Sequence, residues 1–196
     1  MGRFNVASLL GARPKELRAE EASKITTKKI LFVCTGNIAR SASAQYLAQS
    51  MAGEHTDWIF ESAGVGAVVG SGVAKHIDTE LSSRGISFEG HRARQITLPM
   101  IEEATLVLVM DKEHLNWIVR EWPQYRYKVH LLRQMARLRD EAERRTEPIS
   151  FMYQQDQGPR SGDNIADPYR RGPERAKKAV AEVEEALQVI VPWLGS

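Results

Sequence analysis

The fold of this 196-residue chain is decided by the stretch Lys29-Ile-Leu-Phe-Val-Cys34-Thr-Gly-Asn-Ile-Ala-Arg40-Ser41. The apolar run 30–33 predicts a buried strand, and it delivers the only cysteine of the chain to the carboxyl end of that strand. Open α/β sheets place their ligands at this end of their strands. A short loop then leads to Arg40, where a helix is expected to begin, so the stretch predicts a strand–loop–helix unit with a site at its turn.

The loop between Cys34 and Arg40 is predicted to bind an oxyanion. Backbone N–H groups of residues 35–39 can turn inward as an anion nest, and a helix N-terminus adds positive potential. A thiol in such surroundings ionises easily, and the thiolate is its nucleophilic form. Arg40 offers a planar fork for two phosphoryl oxygens, and Ser41 is placed to donate a hydrogen bond to the sulfur. The alternative is a buried core cysteine, which the arginine and serine at these offsets disfavour.

Composition narrows the class of protein. The length and the 42% hydrophobic content suit one domain with a full core. A net charge of +2, from 27 basic and 25 acidic residues, favours neither nucleic acid nor a membrane surface as a partner. The single cysteine excludes an internal disulfide, the N-terminus does not resemble a signal peptide, and no apolar run approaches the roughly 20 residues of a membrane helix. We therefore expect a reducing, cytoplasmic setting.

The rest of the chain alternates short apolar runs with helix-period segments, which predicts βαβ units around a parallel sheet. The predicted strands are 29–34, 58–63, 104–110 and 129–132. The predicted helices are about 40–51, 73–84 and 112–122, one that begins near 132, and a last helix from 173. Residues 147–164 lack periodicity and are predicted to be a long loop. Residues 1–28 are interpreted as a partly helical N-terminal extension, and 29–196 as a single domain.

A second candidate site lies at Asp167-Pro168-Tyr169, between the long loop and the last helix. Alone, an Asp-Pro pair mostly marks a turn or a helix start. A cysteine-based phosphatase, however, needs an acid for the departing oxygen and then a base for water. Beside the Cys34 loop, Asp167 fits both tasks.

Two other sequence patterns are weaker indications of function. The glycine-rich turn Gly64 to Gly70 has the spacing GxGxxxG, so it fails the dinucleotide fingerprint, and no P-loop lysine follows it. It is either a loop at the mouth of the site or a plain connection. The five histidines are scattered without zinc-ligand spacing, which predicts no metal and no cofactor.

Five stretches, in this order, resemble the low-molecular-weight protein tyrosine phosphatase family. They are Val33 to Ser41, Ser62-Ala63-Gly64, His91 to Gln95, Met110-Asp111 and Asp167-Pro168-Tyr169. The resemblance implies a single α/β domain with a four-stranded parallel sheet and helices on both faces. It also implies a two-step reaction through phosphocysteine without a metal, in which Cys34 is the nucleophile, Arg40 holds the phosphoryl oxygens and Asp167 is the acid and base.

The resemblance also assigns binding and supporting residues. Asn37 is implied to be held by Ser41, Ser62 and His91, which would keep the empty loop in its binding shape. The residues expected to bind the phosphoryl group or the substrate are Thr35, Gly36, Asn37, Ile38, Ala39, Ser41 and Tyr169.

Three departures from the family pattern stand out. Ala39 replaces a second cysteine that in many members can form a protective disulfide with the nucleophile. Val65, Val68 and Val69 occupy the loop in which many members carry an aromatic residue. The interval from Asp111 to Asp167 is longer than usual. Ile38, in contrast, resembles the tyrosine phosphatases more than the phosphoarginine phosphatases, which tend to carry threonine at this position.

The sequence therefore predicts a phosphatase for phosphotyrosine, with a phosphorylated protein or a small aryl phosphate as substrate. Two alternatives stay open. One is an arsenate reductase that uses an external thiol partner, because the single cysteine excludes an internal relay. The other is an inactive module that binds phosphoproteins. No nucleic acid or membrane partner is predicted, and the sequence leaves the oligomeric state open.

Overall fold

The computed structural model describes residues 15–23, 28–143 and 146–195. The strands are β1 (Lys28–Cys34), β2 (Trp58–Gly64), β3 (Leu106–Val109) and β4 (Val129–Leu131). The α-helices are α1 (Lys15–Ser23), α2 (Arg40–Ala52), α3 (Ile77–Ser82), α4 (Leu98–Glu103), α5 (Lys112–Glu121), α6 (Leu132–Glu141), α7 (Pro148–Tyr153) and α8 (Pro173–Leu194). Short 3-10 helices cover Pro123–Lys128 and Ser161–Asp163.

The four strands form one parallel sheet in the order β2-β1-β3-β4. After β1 the chain adds β2 on one side and then β3 on the other side, so the order reverses at β1. Open α/β sheets bind ligands at such a reversal, outside the carboxyl ends of the strands. Cys34 is the last residue of β1 and therefore lies at this point.

The sheet is covered by helices on both faces. Ile30 and Phe32 of β1 belong to one core cluster, which includes residues of α2, α6 and α8. The alternate residues Leu31 and Val33 belong to a second cluster, with residues of α4 and α5. Because both faces are covered, β1 reads as a continuous apolar run without alternation. The predicted architecture, a single α/β domain around a four-stranded parallel sheet, is confirmed.

Two predicted segments differ from the structure. The helix predicted over 73–84 is confined to α3, because His76 takes a left-handed φ of 73° and the Ala74 amide bonds to the Ile38 carbonyl at 2.8 Å. The predicted loop 147–164 contains α7, which starts at a Glu147 cap that accepts from the Ile149 and Ser150 amides. Six residues are too few to show helical periodicity, although this helix buries Met152 completely.

Within the predicted extension, α1 confirms a helical part, and Lys28 already belongs to β1. The remaining residues of that extension lie outside the described residues. Arg18 of α1 pairs with Asp156, which follows α7, at 3.1 Å. In the described part of the chain, none of the helices has the length and apolarity needed to cross a membrane.

Candidate active site

The loop 35–39 joins β1 to α2 and surrounds the space above Cys34. The Cys34 side chain is nearly buried, and its Sγ lies 3.0 Å from the Ser41 Oγ. Ser41 belongs to the first turn of α2, so its position follows from the helix that begins at Arg40. The structure thus brings the predicted nucleophile, the serine and the helix N-terminus together.

Asn37 holds the loop in shape from within. It adopts a left-handed φ of 55°, and its Nδ2 donates to the Ser41 Oγ at 3.0 Å and to the Ser62 Oγ at 2.9 Å. The His91 Nε2 lies 2.6 Å from the Asn37 carbonyl oxygen. Burial lowers the pKa of His91, which favours the neutral ring with its proton on Nε2. These are the four residues that the resemblance groups together, and each contact is present.

Arg40 is buried beneath the loop, with 3% of its side chain exposed. Its Nη1 donates to Asp111 at 2.8 Å and to the Ile165 carbonyl at 2.9 Å, and its Nη2 lies 3.3 Å from Asp167. Its Nε is buried without a hydrogen-bond partner in the described part of the chain. A buried N–H without an acceptor is costly, so this donor fits a site completed by a bound oxyanion.

Asp167 faces the same space from the far end of the chain. Its side chain is 46% exposed, and one oxygen accepts from the Tyr169 amide at 3.3 Å. The cavity between it and the loop has a volume of about 140 Å³. Its lining residues are Cys34, Thr35, Gly36, Ile38, Ala39, Arg40, Gly66, Val68, Asp167 and Tyr169. The glycine-rich turn therefore contributes to the mouth of the cavity through Gly66 and Val68.

Sequence reasoning assigned no role to Asp111 and His114. Asp111 caps α5, accepting from the Glu113 and His114 amides at 3.0 and 3.1 Å, while its other oxygen holds Arg40. The His114 Nε2 lies 2.9 Å from the Thr35 hydroxyl. Burial lowers the pKa of His114 to about 4 despite the nearby Asp111 carboxylate, so the ring is neutral at pH 7. The position of Asp111, at the end of a buried strand, was the available signal.

Gly64 shows why the Ser-Ala-Gly stretch carries a glycine. A Cβ on this residue would lie 2.3 Å from the Thr35 carbonyl oxygen and 3.0 Å from the Asn37 amide nitrogen. The end of β2 therefore presses directly on the backbone of the loop. Its own amide and carbonyl are bonded to Arg94 and Ile96, which leaves little room for β2 to retreat.

The variant Gly64→Ala is accordingly expected to distort the loop. Overpacking of a rigid site costs about 1–3 kcal/mol in the free energy of unfolding, and the displaced amides should bind inorganic phosphate more weakly. Urea unfolding and calorimetric phosphate titration measure the two effects. Gly66→Ala is the matched control for stability, because its Cβ would meet only the Thr35 Cγ2 at 3.9 Å. Equal unfolding free energies of the two variants would contradict the prediction.

A thiol beneath an anion-binding loop, faced by a buried arginine and a carboxylate, defines the class of cysteine-dependent phosphatases. Residues 29–148 match the family described as low molecular weight phosphotyrosine protein phosphatase, and the chain belongs to that family. It is therefore a phosphatase that hydrolyses phosphate esters through a cysteine nucleophile, and Cys34 occupies the corresponding loop position.

Individual relatives agree with the family. The chain is 39% identical over 102 residues to the low molecular weight protein-tyrosine-phosphatase Wzb of Escherichia coli K12, and the aligned region covers 52% of this chain and 67% of the relative. It is 32% identical over 164 residues to the probable low molecular weight protein-tyrosine-phosphatase EpsP of Ralstonia nicotianae, and this alignment covers 83% of this chain and 88% of the relative. The structure superposes on the YwlE arginine phosphatase of Geobacillus stearothermophilus with a TM-score of 0.68 and 29% identity. The superposition covers 86% of this chain and 93% of the YwlE chain.

Proposed function

We propose that this phosphatase acts on phosphotyrosine in proteins, with a phosphocysteine intermediate on Cys34. In the first step the thiolate attacks phosphorus, so the S–P bond forms while the P–O bond to the tyrosine breaks. Asp167 gives its proton to the departing phenolate oxygen. Arg40 and the loop amides bind the phosphoryl oxygens, in which charge is spread during transfer.

The second step returns the enzyme to its starting state. Asp167, now a carboxylate, takes a proton from water as that water attacks phosphorus. The S–P bond breaks, inorganic phosphate forms, and the sulfur leaves as a thiolate. The hydrogen bond that Ser41 donates over 3.0 Å stabilises this leaving thiolate. A single carboxylate thus serves as acid and then as base.

The observation that carries the substrate class is the chemistry of the cavity walls. Above Arg40, the walls include the apolar side chains of Ile38 and Val68 and the aromatic ring of Tyr169. These surfaces suit an uncharged phenyl ring, since an aromatic pair gains stability from stacking beyond its buried area. A phosphoarginine guanidinium would need acceptors, which the Ile38 and Val68 side chains do not offer, and the Asp167 carboxylate in the same cavity is already engaged by Arg40 at 3.3 Å.

A direct comparison of substrates tests this proposal, because the relatives include both tyrosine and arginine phosphatases. We expect kcat/KM for a phosphotyrosine peptide to exceed that for the matched phosphoarginine peptide by at least about 10-fold. In Tyr169→Leu, loss of stacking should lower kcat/KM for the phosphotyrosine peptide by about 2–10-fold. Preference for phosphoarginine, or arsenite formation that depends on an added thiol, would overturn the proposal.

The environment of the thiol supports a cytoplasmic location. Cys34 reacts only as a reduced thiolate, and the neighbouring loop residue Ala39 offers no second thiol for a protective, reversible disulfide. Such a site requires a compartment in which thiols are kept reduced. The inactive binding module is disfavoured, since the sequence retains Cys34, Arg40, Ser41 and Asp167 together.

A further inference from the structure

The hydrogen bonds around Asn37 have a fixed direction. An amide nitrogen donates and cannot accept, so the Asn37 Nδ2 donates to both hydroxyl oxygens that it contacts, at 3.0 Å for Ser41 and 2.9 Å for Ser62. Each serine therefore accepts one proton and must place its own hydroxyl proton elsewhere. The atoms that accept these two protons determine whether the catalytic sulfur receives a hydrogen bond.

The proton of Ser62 goes to Gln45. The Ser62 Oγ donates to the Gln45 Oε1 at 2.6 Å, and Ser62 is only 1% exposed, so solvent does not compete for it. The side-chain oxygen must face Ser62, because an NH₂ group in its place would leave the Ser62 proton without an acceptor. Gln45 is thus the acceptor at the outer end of the chain of hydrogen bonds.

The proton of Ser41 goes to the sulfur. Its hydroxyl has two possible acceptors, the Cys34 Sγ at 3.0 Å and the Ala63 carbonyl at 3.4 Å. Hydrogen bonds to sulfur are normally longer than those to oxygen, so a separation of 3.0 Å marks a close contact. A thiolate is also the stronger acceptor, because a hydrogen bond with an ionised partner is about twice as strong as a neutral one.

We propose that Gln45 is a positioning residue of the active site. By accepting the Ser62 proton, Gln45 leaves the Ser62 Oγ as an acceptor for the Asn37 amide group. The same amide group is thereby held in position to donate to Ser41, and Ser41 donates to the thiolate. Successive hydrogen bonds polarise one another, which makes Ser62 a better acceptor for Asn37. The inference rests on the proposed role of Cys34 and adds a residue that never contacts the substrate.

The position of Gln45 supports this indirect role. It lies on α2, one turn beyond Ser41, and lines a separate cavity of about 390 Å³ together with Tyr46, His91 and Arg94. The walls of this cavity and those of the catalytic cavity have no residue in common. Gln45 therefore contacts the network around the catalytic loop from outside the catalytic cavity.

Alkylation of the thiol tests the proposal without any turnover. Cys34 is the only cysteine, so iodoacetamide consumption by the full chain reports its thiolate directly. In Gln45→Leu, we expect the alkylation rate at pH 6 to fall about 3–10-fold, while the rate at pH 9, which is above the ordinary pKa of a free thiol, stays that of the wild type. The acid limb of kcat/KM for p-nitrophenyl phosphate should move to higher pH. Gln45→Met serves if the leucine variant does not fold.

Gln49→Leu is the matched control. Gln49 lies one turn further along α2 in the same cavity, but its Nε2 donates to the Phe60 carbonyl at 3.2 Å, whereas the Ser62 hydroxyl donates to Gln45. Its alkylation profile should match the wild type. In addition, Gln45→Leu should have no further effect when Ser62 is already alanine, because the two act through one chain.

Three outcomes would overturn the proposal: a wild-type alkylation profile in Gln45→Leu, an equal shift in Gln49→Leu, or a loss of the same size at every pH. Failure of the proposed function gives a different result. In that case Gln45→Leu is alkylated more slowly than the wild type at pH 6, yet the wild type does not hydrolyse phosphotyrosine.

Discussion

Replacement of Cys34 by serine is expected to lower kcat for phosphate ester hydrolysis by at least about 10⁴-fold. A serine hydroxyl is not ionised at neutral pH, and the loop offers no general base beside the sulfur position, because Ser41 acts there as a donor. The phosphocysteine intermediate cannot form, and the loop amides and Arg40 alone do not supply a nucleophile. Turnover of p-nitrophenyl phosphate at pH 6 measures the effect.

Binding provides the control for this variant. The loop amides, Arg40 and the contacts of Asn37 do not depend on the sulfur, so Cys34→Ser should bind inorganic phosphate with an affinity within a few-fold of the wild type. Calorimetric titration of both proteins tests this. Residual hydrolysis above about one hundredth of the wild-type kcat would contradict a covalent role for Cys34.

The catalytic loop could be predicted because its parts are close in sequence. Strand, nucleophile, loop and arginine lie within one continuous stretch, and each residue type constrains its neighbours. The same holds for α8, where proline at the start and a long apolar stripe define a helix. In both cases, local sequence alone carries the structural information.

The residues that sequence reasoning missed act through distant contacts. Position 64 requires a glycine because the end of β2 packs directly against the Thr35 carbonyl. Gln45 gains its partner only because β2 places Ser62 beside α2. Helix α7 is too short for a periodic signal, and its helical state is stabilised by burial of Met152. Each of these follows from tertiary packing, which a single sequence does not show.

Ile165 explains how the two halves of the site meet. Its side chain is buried in the larger core cluster, and its amide bonds to the Met110 carbonyl at 2.8 Å, just beyond β3. Its carbonyl in turn accepts from Arg40 at 2.9 Å. This anchor lies two residues before Asp167, so the acid is held over the loop although a long segment separates it from Cys34.

Asp167→Ala is expected to show a loss that depends on the leaving group. A poor leaving group such as the tyrosine phenolate needs its oxygen protonated as the P–O bond breaks, and this should cost about 10²–10⁴-fold in kcat/KM, which reports the first step. p-Nitrophenolate departs without that proton, so the first step should be affected much less. The ratio of kcat/KM for the two esters, in the wild type and the variant, is the measurement.

Asp167→Asn separates proton transfer from geometry. Asparagine retains an oxygen for the Tyr169 amide, which lies 3.3 Å from the carboxylate in the structure, and Arg40 is still held by Asp111 and Ile165. If Asp167 is the acid, the Asp167→Asn variant should lose as much activity on the phosphotyrosine peptide as the Asp167→Ala variant. Recovery of activity in Asp167→Asn, or an equal loss of kcat/KM with both esters in Asp167→Ala, would show that the carboxylate is not the acid of the first step and only orients Arg40.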